Sequence, residues 1–146
     1  MFEGNIKPLN VLLVEDNPGD VRLMREALRD GSRQKKLDAV EDGEEALAYL
    51  RRQPPFSNAP KPDLIFLDLN LPKKDGREVL QEIKRDENLR RIPVVILTTS
   101  EAERDISHVY DLHGNCYVKK PTDLDEYMHV IRACENFWLH IVRLPR

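Results

Sequence analysis

The chain reads as an α/β protein, a doubly wound parallel sheet sandwiched between two layers of helices. Short runs of β-branched and aliphatic residues alternate with charged stretches whose apolar residues recur at helical spacing, the pattern of repeated βα units. The strongest run, Leu64 to Leu69, is apolar but for one aspartate, Asp68, near its end, as suits a central strand covered on both faces. A length of 146 residues with 40% hydrophobic content suits one domain with a sizeable core.

The first strand is Leu9 to Val14, ending at Glu15-Asp16. Asn17-Pro18 then supplies a cap and a proline at the first helical position, and Val21, Leu23, Met24, Ala27 and Leu28 give the helix its apolar face. Lys36 to Glu41 is more polar and suits an edge strand. Asp42-Gly43 turns it into a short helix with Ala46, Leu47 and Leu50 inward. Arg51 to Asp63 is too rich in proline for a regular element and predicts a stiff surface loop. The third strand covers Leu64 to Leu69 and contains Asp68. Asn70 to Asp75 loops to Gly76 and a helix carrying Val79, Leu80 and Ile83. Pro93 introduces the fourth strand, Val94 to Thr98. Ile106, Val109, Tyr110 and His113 mark a helix stopped by Gly114, Cys116 to Lys119 is a fifth strand, and Leu124 to about Trp138 is the last helix. Five strands and five helices leave no length for a second domain, so no output module is expected.

Charge and composition narrow the function classes. The formal net charge is −3, with acidic and basic residues interleaved, which argues against nucleic acid and anionic membranes as partners. No run approaches the roughly 20 apolar residues of a membrane span, and the first residues lack the pattern of a signal peptide, so a cytoplasmic protein is expected. Cys116 and Cys134 show no ligand-like spacing and read as small hydrophobes.

Chemistry gathers at the strand ends. In a doubly wound sheet, groups at the carboxyl ends of central strands converge on one crevice. Here these are Glu15 and Asp16, Asp68, Thr98, and Lys119 or Lys120. Asp68 interrupts an apolar run, and a charge beside a buried strand requires a cation or dense hydrogen bonding. Three carboxylates in one place call for a hard divalent ion. Magnesium fits best, because it takes carboxylates and waters and is completed by phosphate oxygens. With a lysine and a threonine opposite, the set suits phosphoryl transfer to a carboxylate.

The segments VLLVEDNPGD, LIFLDLNLPKKDG, VVILTTS and CYVKKP, in that order, resemble the receiver domain of two-component response regulators, the CheY-like family, over residues 9–140, with 141–146 as a tail. The resemblance implies a flavodoxin-like sheet of order 2-1-3-4-5. It makes Asp68 the phosphoacceptor, Asp16 a direct magnesium ligand, Glu15 a second acid acting largely through water, and Asn70 a main-chain carbonyl ligand. Manganese can substitute for magnesium. Thr98 and Lys120 contact the phosphoryl group, and Tyr117 is the aromatic switch that turns inward when Thr98 moves. The family's lysine stands directly before proline, which selects Lys120 over Lys119 and implies a cis Lys120-Pro121 bond. The departure is Glu15, where aspartate is commoner.

LDLNLPKKDGREVL and the terminal FWLHIVRLP are similar to the single-domain regulators associated with cyanobacterial and bacterial phytochromes. That narrower likeness implies a phytochrome histidine kinase as phosphodonor and a homodimer. The last helix independently carries more apolar residues than one sheet-facing stripe needs: Leu124, Tyr127, Met128 and Ile131, then Val130, Phe137, Trp138 and Ile141. With Ile106, Val109 and Tyr110 they predict a dimer surface. The competing class, a phosphatase of the haloacid dehalogenase type, needs a second acid two positions after its nucleophile, where this chain has Asn70. Flavodoxin-like cofactor binding fails on EDNPGD, which puts negative charge where an anionic cofactor would sit.

Overall fold

Side-chain alternation along the strands divides the interior into two apolar layers. The computed structural model describes residues 8–29, 34–100 and 102–145. Its strands are β1 (Leu9–Val14), β2 (Lys35–Val40), β3 (Leu64–Leu67), β4 (Val94–Thr98) and β5 (Cys116–Lys119). They form one parallel sheet of order β2-β1-β3-β4-β5, the doubly wound topology expected. Leu12, Val14, Ile65, Leu67, Val94 and Ile96 point into one layer, and Val11, Leu13, Leu64, Phe66, Val95 and Leu97 into the other. Each such fully buried side chain contributes about 1.5–3 kcal/mol over its exposed state.

Five helices cover these layers: α1 (Pro18–Arg29), α2 (Gly43–Leu50), α3 (Gly76–Arg85), α4 (Glu103–Asp111) and α5 (Leu124–Glu135). Ala46, Leu47, Leu50, Val79, Leu80, Ile83 and Val109 bring α2, α3 and α4 onto the first layer. Met24, Ala27, Leu28, Tyr127 and Ile131 bring α1 and α5 onto the second. Asn17 Oδ1 accepts from the Gly19 and Asp20 amides at 2.9 and 3.2 Å, so the expected cap is made. Asp42, Asp75 and Asp123 cap α2, α3 and α5 in the same way. Residues 51–63 contain no helix or strand. None of the described helices is long and apolar enough to cross a membrane.

Three local expectations change. The last helix stops being α-helical at Glu135 and continues as a π-helix over Asn136–Ile141, which widens the turn and brings Leu139 into the core. At the end of α4 the left-handed residue is His113, at φ 68°, rather than Gly114. Gly114 is required for space instead: a Cβ there would lie 2.5 Å from Val109 Cγ1. The predicted dimer surface also contracts. Val109, Tyr127 and Ile131 are core residues, and Trp138 and Met128 pack against the α1/α5 layer. Among the described residues, the large hydrophobics that remain exposed are Tyr110, Leu124, Phe137 and Ile141.

Candidate functional site

The carboxyl rim of the sheet carries Glu15, Asp68 and Lys120 each one step beyond a strand, hung on a continuation of the ladder, while Thr98 ends β4 itself. The Glu15 amide donates to Val40 O at 3.0 Å, the Asp68 amide to Val14 O at 3.1 Å, and the Lys120 amide to Thr98 O at 2.6 Å. The backbone is therefore fixed before any side chain acts. Behind Asp68, α3 begins so close that a Cβ on Gly76 would lie 2.2 Å from the Asp68 carbonyl oxygen, and only glycine fits. The Gly76 amide donates to Leu69 O at 2.9 Å and closes the intervening loop.

Glu15, Asp16 and Asp68 converge, with one carboxylate oxygen from each within 4.8 Å of the others. Glu15 and Asp68 are buried and Asp16 is exposed. Such a set of hard oxygen donors, open on the Asp16 side, fits a divalent cation. Asn70 adjoins it, its main-chain N–H donating to Asp68 Oδ1 at 3.2 Å. Opposite stands Lys120, whose ammonium is buried and bonded to Glu15 Oε1, to Asp20 Oδ2 at 3.0 Å and to Asp68 Oδ2 at 3.1 Å. Thr98 Oγ1 is fully buried and, among the described side chains, is the buried polar atom left without a hydrogen-bond partner. An orphaned hydroxyl costs free energy unless something comes to meet it.

Burial pushes the Glu15 carboxyl up to about 7, against the pull of Lys120. Burial works in the opposite sense on Lys120, but its bond to Glu15 and the charges of Glu15 and Asp68 outweigh it and hold the ammonium protonated.

The structure thus brings Glu15, Asp16, Asp68 and Lys120 together, with Thr98 on the adjoining strand. Lys119 is exposed, as side-chain alternation requires. The Lys120-Pro121 bond is trans, contrary to expectation, since the cis bond among the described residues is Pro54-Pro55. The lysine reaches the acids from the trans peptide because its amide already extends the ladder to Thr98, which aims the side chain inward.

Tyr117 lies further out on β5. It packs partly against the α2/α3/α4 layer, and its hydroxyl donates to Ser100 O at 2.8 Å. The Ser100 hydroxyl donates to Asp105 Oδ2 at 2.6 Å, and Arg77 holds Asp105 at 2.8 Å. Neither this chain of contacts nor Asp20 was found from the sequence. Asp20 sits in the first turn of α1, where an acid reads as a complement to the helix dipole.

The family model described as the response regulator receiver domain matches residues 11–132. Response regulator Rcp1 of Synechocystis sp. (strain ATCC 27184 / PCC 6803 / Kazusa) is 49% identical over 145 residues, covering 99% of each chain. The phosphorylated cyanobacterial phytochrome response regulator RcpA superposes with a TM-score of 0.94 at 51% identity, covering 96% of this chain and 100% of that one. The Mn(2+)-bound form of Rcp1 does so with a TM-score of 0.93 at 48% identity, covering 95% and 100%.

Proposed function

The chain belongs to the response regulator receiver domain family, and from that premise we propose that a phytochrome histidine kinase phosphorylates it on Asp68. One observation carries the choice of residue. The Asp68 carboxylate sits between the Glu15/Asp16 pair and Lys120, so both the means of holding a cation and a positive charge flank a single nucleophile.

An Asp68 oxygen bonds to phosphorus as the bond from phosphorus to the donor's histidine nitrogen breaks, and the electron pair leaves with the imidazole. Glu15, Asp16 and Asp68, with the Asn70 main-chain carbonyl, would hold magnesium, or manganese in its place. When bound there, the cation supplies positive charge against the phosphoryl oxygens. Lys120 meets those oxygens from the other side, and the Thr98 hydroxyl, which has no partner at rest, donates to one of them. The bond from Tyr117 to Ser100 ties β5 to the segment that follows Thr98, and the switch acts through it. No second acid stands at Asn70 to handle a leaving group, which disfavours a phosphatase of the haloacid dehalogenase type.

Residues 9–140 form the working receiver unit, in the cytoplasm, and two copies pair through α4 and the far end of the chain. Tyr110, Leu124, Phe137 and Ile141 are the large hydrophobics left exposed among the described residues, and all lie on α4, α5 or its π-helical continuation. Phosphorylation is tested by intact mass after incubation with magnesium and acetyl phosphate. The parent gains one phosphoryl group and Asp68→Asn gains none; equal uptake by the variant refutes the assignment. Sedimentation of the parent against Phe137→Glu and Ile141→Glu tests the pairing, which fails if the parent is monomeric or neither substitution dissociates it.

A further inference from the structure

An ammonium has three hydrogens to donate. At rest, those of Lys120 face three carboxylates: Glu15, Asp20 and Asp68. None remains for an incoming phosphoryl oxygen, so one bond must be given up before Lys120 can serve the reaction. The three partners differ in what release would cost. The Glu15 side chain is 3% exposed and that of Asp68 10%, whereas that of Asp20 is 22% exposed. Glu15 and Asp68 also belong to the converging carboxylate cluster, and Asp20 does not. A carboxylate that water can reach recovers its hydration when its partner leaves; a buried one does not.

We propose that Asp20 is a positioning residue that holds the Lys120 ammonium at rest and is the partner released when a phosphoryl group arrives. The inference rests on Asp68 being the phosphoacceptor. Asp20 belongs to α1 and Lys120 follows β5, so the bond ties the start of the first helix to the end of the last strand. Its release loosens that tie as the phosphoryl group draws Lys120 inward. At rest, Asp20 lowers the share of Lys120 ready to donate and so slows phosphorylation.

The test reaction is phosphorylation of the full chain by acetyl phosphate at saturating magnesium. An Asp68 oxygen bonds to phosphorus as the bridging P–O bond breaks and its electron pair leaves with acetate. Asp20→Asn, which keeps the shape and removes the charge, is expected to raise the rate at least threefold, with the gain shrinking as salt is added. Asp20→Glu, which restores the charge on a longer arm, is expected to return the rate to within twofold of the parent. A second readout needs neither donor nor metal. In NMR of 15N-lysine-labelled protein, the Lys120 ammonium hydrogens should exchange with water at least threefold faster in Asp20→Asn. An Asp20→Asn rate equal to or below the parent's, a Glu variant that behaves as Asn does, or unchanged exchange overturns the proposal. Phosphoryl uptake by Asp68→Asn, run alongside, would instead overturn the assignment beneath it.

Discussion

Two lysines, one at each rim of the sheet, meet three acceptors apiece. At the carboxyl rim, Lys120 faces the carboxylates of Glu15, Asp20 and Asp68. At the opposite rim, Lys84 donates to Arg90 O at 3.1 Å, Ile92 O at 2.9 Å and Asn115 Oδ1 at 3.0 Å, all of them uncharged. The consequences are opposite. Burial pushes Lys84 down to about 8, whereas Lys120 is held above its ordinary value because carboxylate charge outweighs its burial. Around Lys84 the acceptors are neutral, and the lysine pegs α3 to the starts of β4 and β5. Around Lys120 the acceptors carry more negative charge than the lysine can neutralise, and the surplus is what a cation would relieve. Burial with neutral partners builds structure; burial among excess like charges prepares chemistry.

The contrast is broken most directly by replacing each lysine with methionine. Lys120→Met should slow phosphorylation by acetyl phosphate about a hundredfold, the scale of losing one donor to developing charge. It should also destabilise the fold by about 3 kcal/mol, because Glu15 is left buried without its counterion. Lys84→Met should leave the phosphorylation rate within twofold of the parent and cost about 1–2 kcal/mol in urea unfolding. Equal effects on the rate would dissolve the distinction between the rims.

A smaller effect separates the two acids that follow β1. Asp16→Asn should weaken magnesium affinity about tenfold and Glu15→Gln by less, measured by titration calorimetry, if the exposed Asp16 is the direct ligand, as proposed, and Glu15 acts largely through water. The reverse ranking would exchange their roles.

Lys84 also carries a pH signature. Burial holds its folded pKa at about 8, below the ordinary lysine value of 10.5. Between those values the unfolded chain binds more protons, so Lys84 contributes increasing stability as pH rises through that window. The stability difference between parent and Lys84→Met should therefore widen from pH 8 to pH 10 in urea titrations, and a constant difference would refute it. The smallest effect belongs to Lys119→Ala, which should leave the phosphorylation rate within twofold of the parent's.

The central strands were plain in the sequence because apolar runs such as LIFL and VVIL suit a strand buried on both faces, whatever surrounds them. Glu15, Asp16, Asp68, Thr98 and a lysine at 119 or 120 were legible for a related reason, since polar groups that end such runs lie on one rim; the choice of Lys120 came from the family resemblance, whose lysine stands directly before proline. Asp20 was not, since its partner is 100 positions away and its local surroundings already explain an acid there. The trans geometry at Lys120-Pro121 escaped because the bond from the Lys120 amide to Thr98 belongs to the sheet, not to the dipeptide. The π-helical end of the last helix was hidden as well. Its sequence NFWLHI has ordinary helical spacing, and the wider turn follows from how Leu139 reaches the core.

The contact between Gly76 and the Asp68 main chain bears on how a signal leaves the site. Asp68 is backed by α3 on one side and bonded to Val14 on the other, and behaves as an anvil. A group added to its carboxylate meets no give from β3. On the proposed assignment, recoil passes to the unpartnered Thr98 hydroxyl, the segment after it, and the Tyr117 ring held there by its bond to Ser100. If Asp68 takes the phosphoryl group as proposed, the stiffness behind it, more than any pull ahead of it, directs the displacement toward α4 and β5.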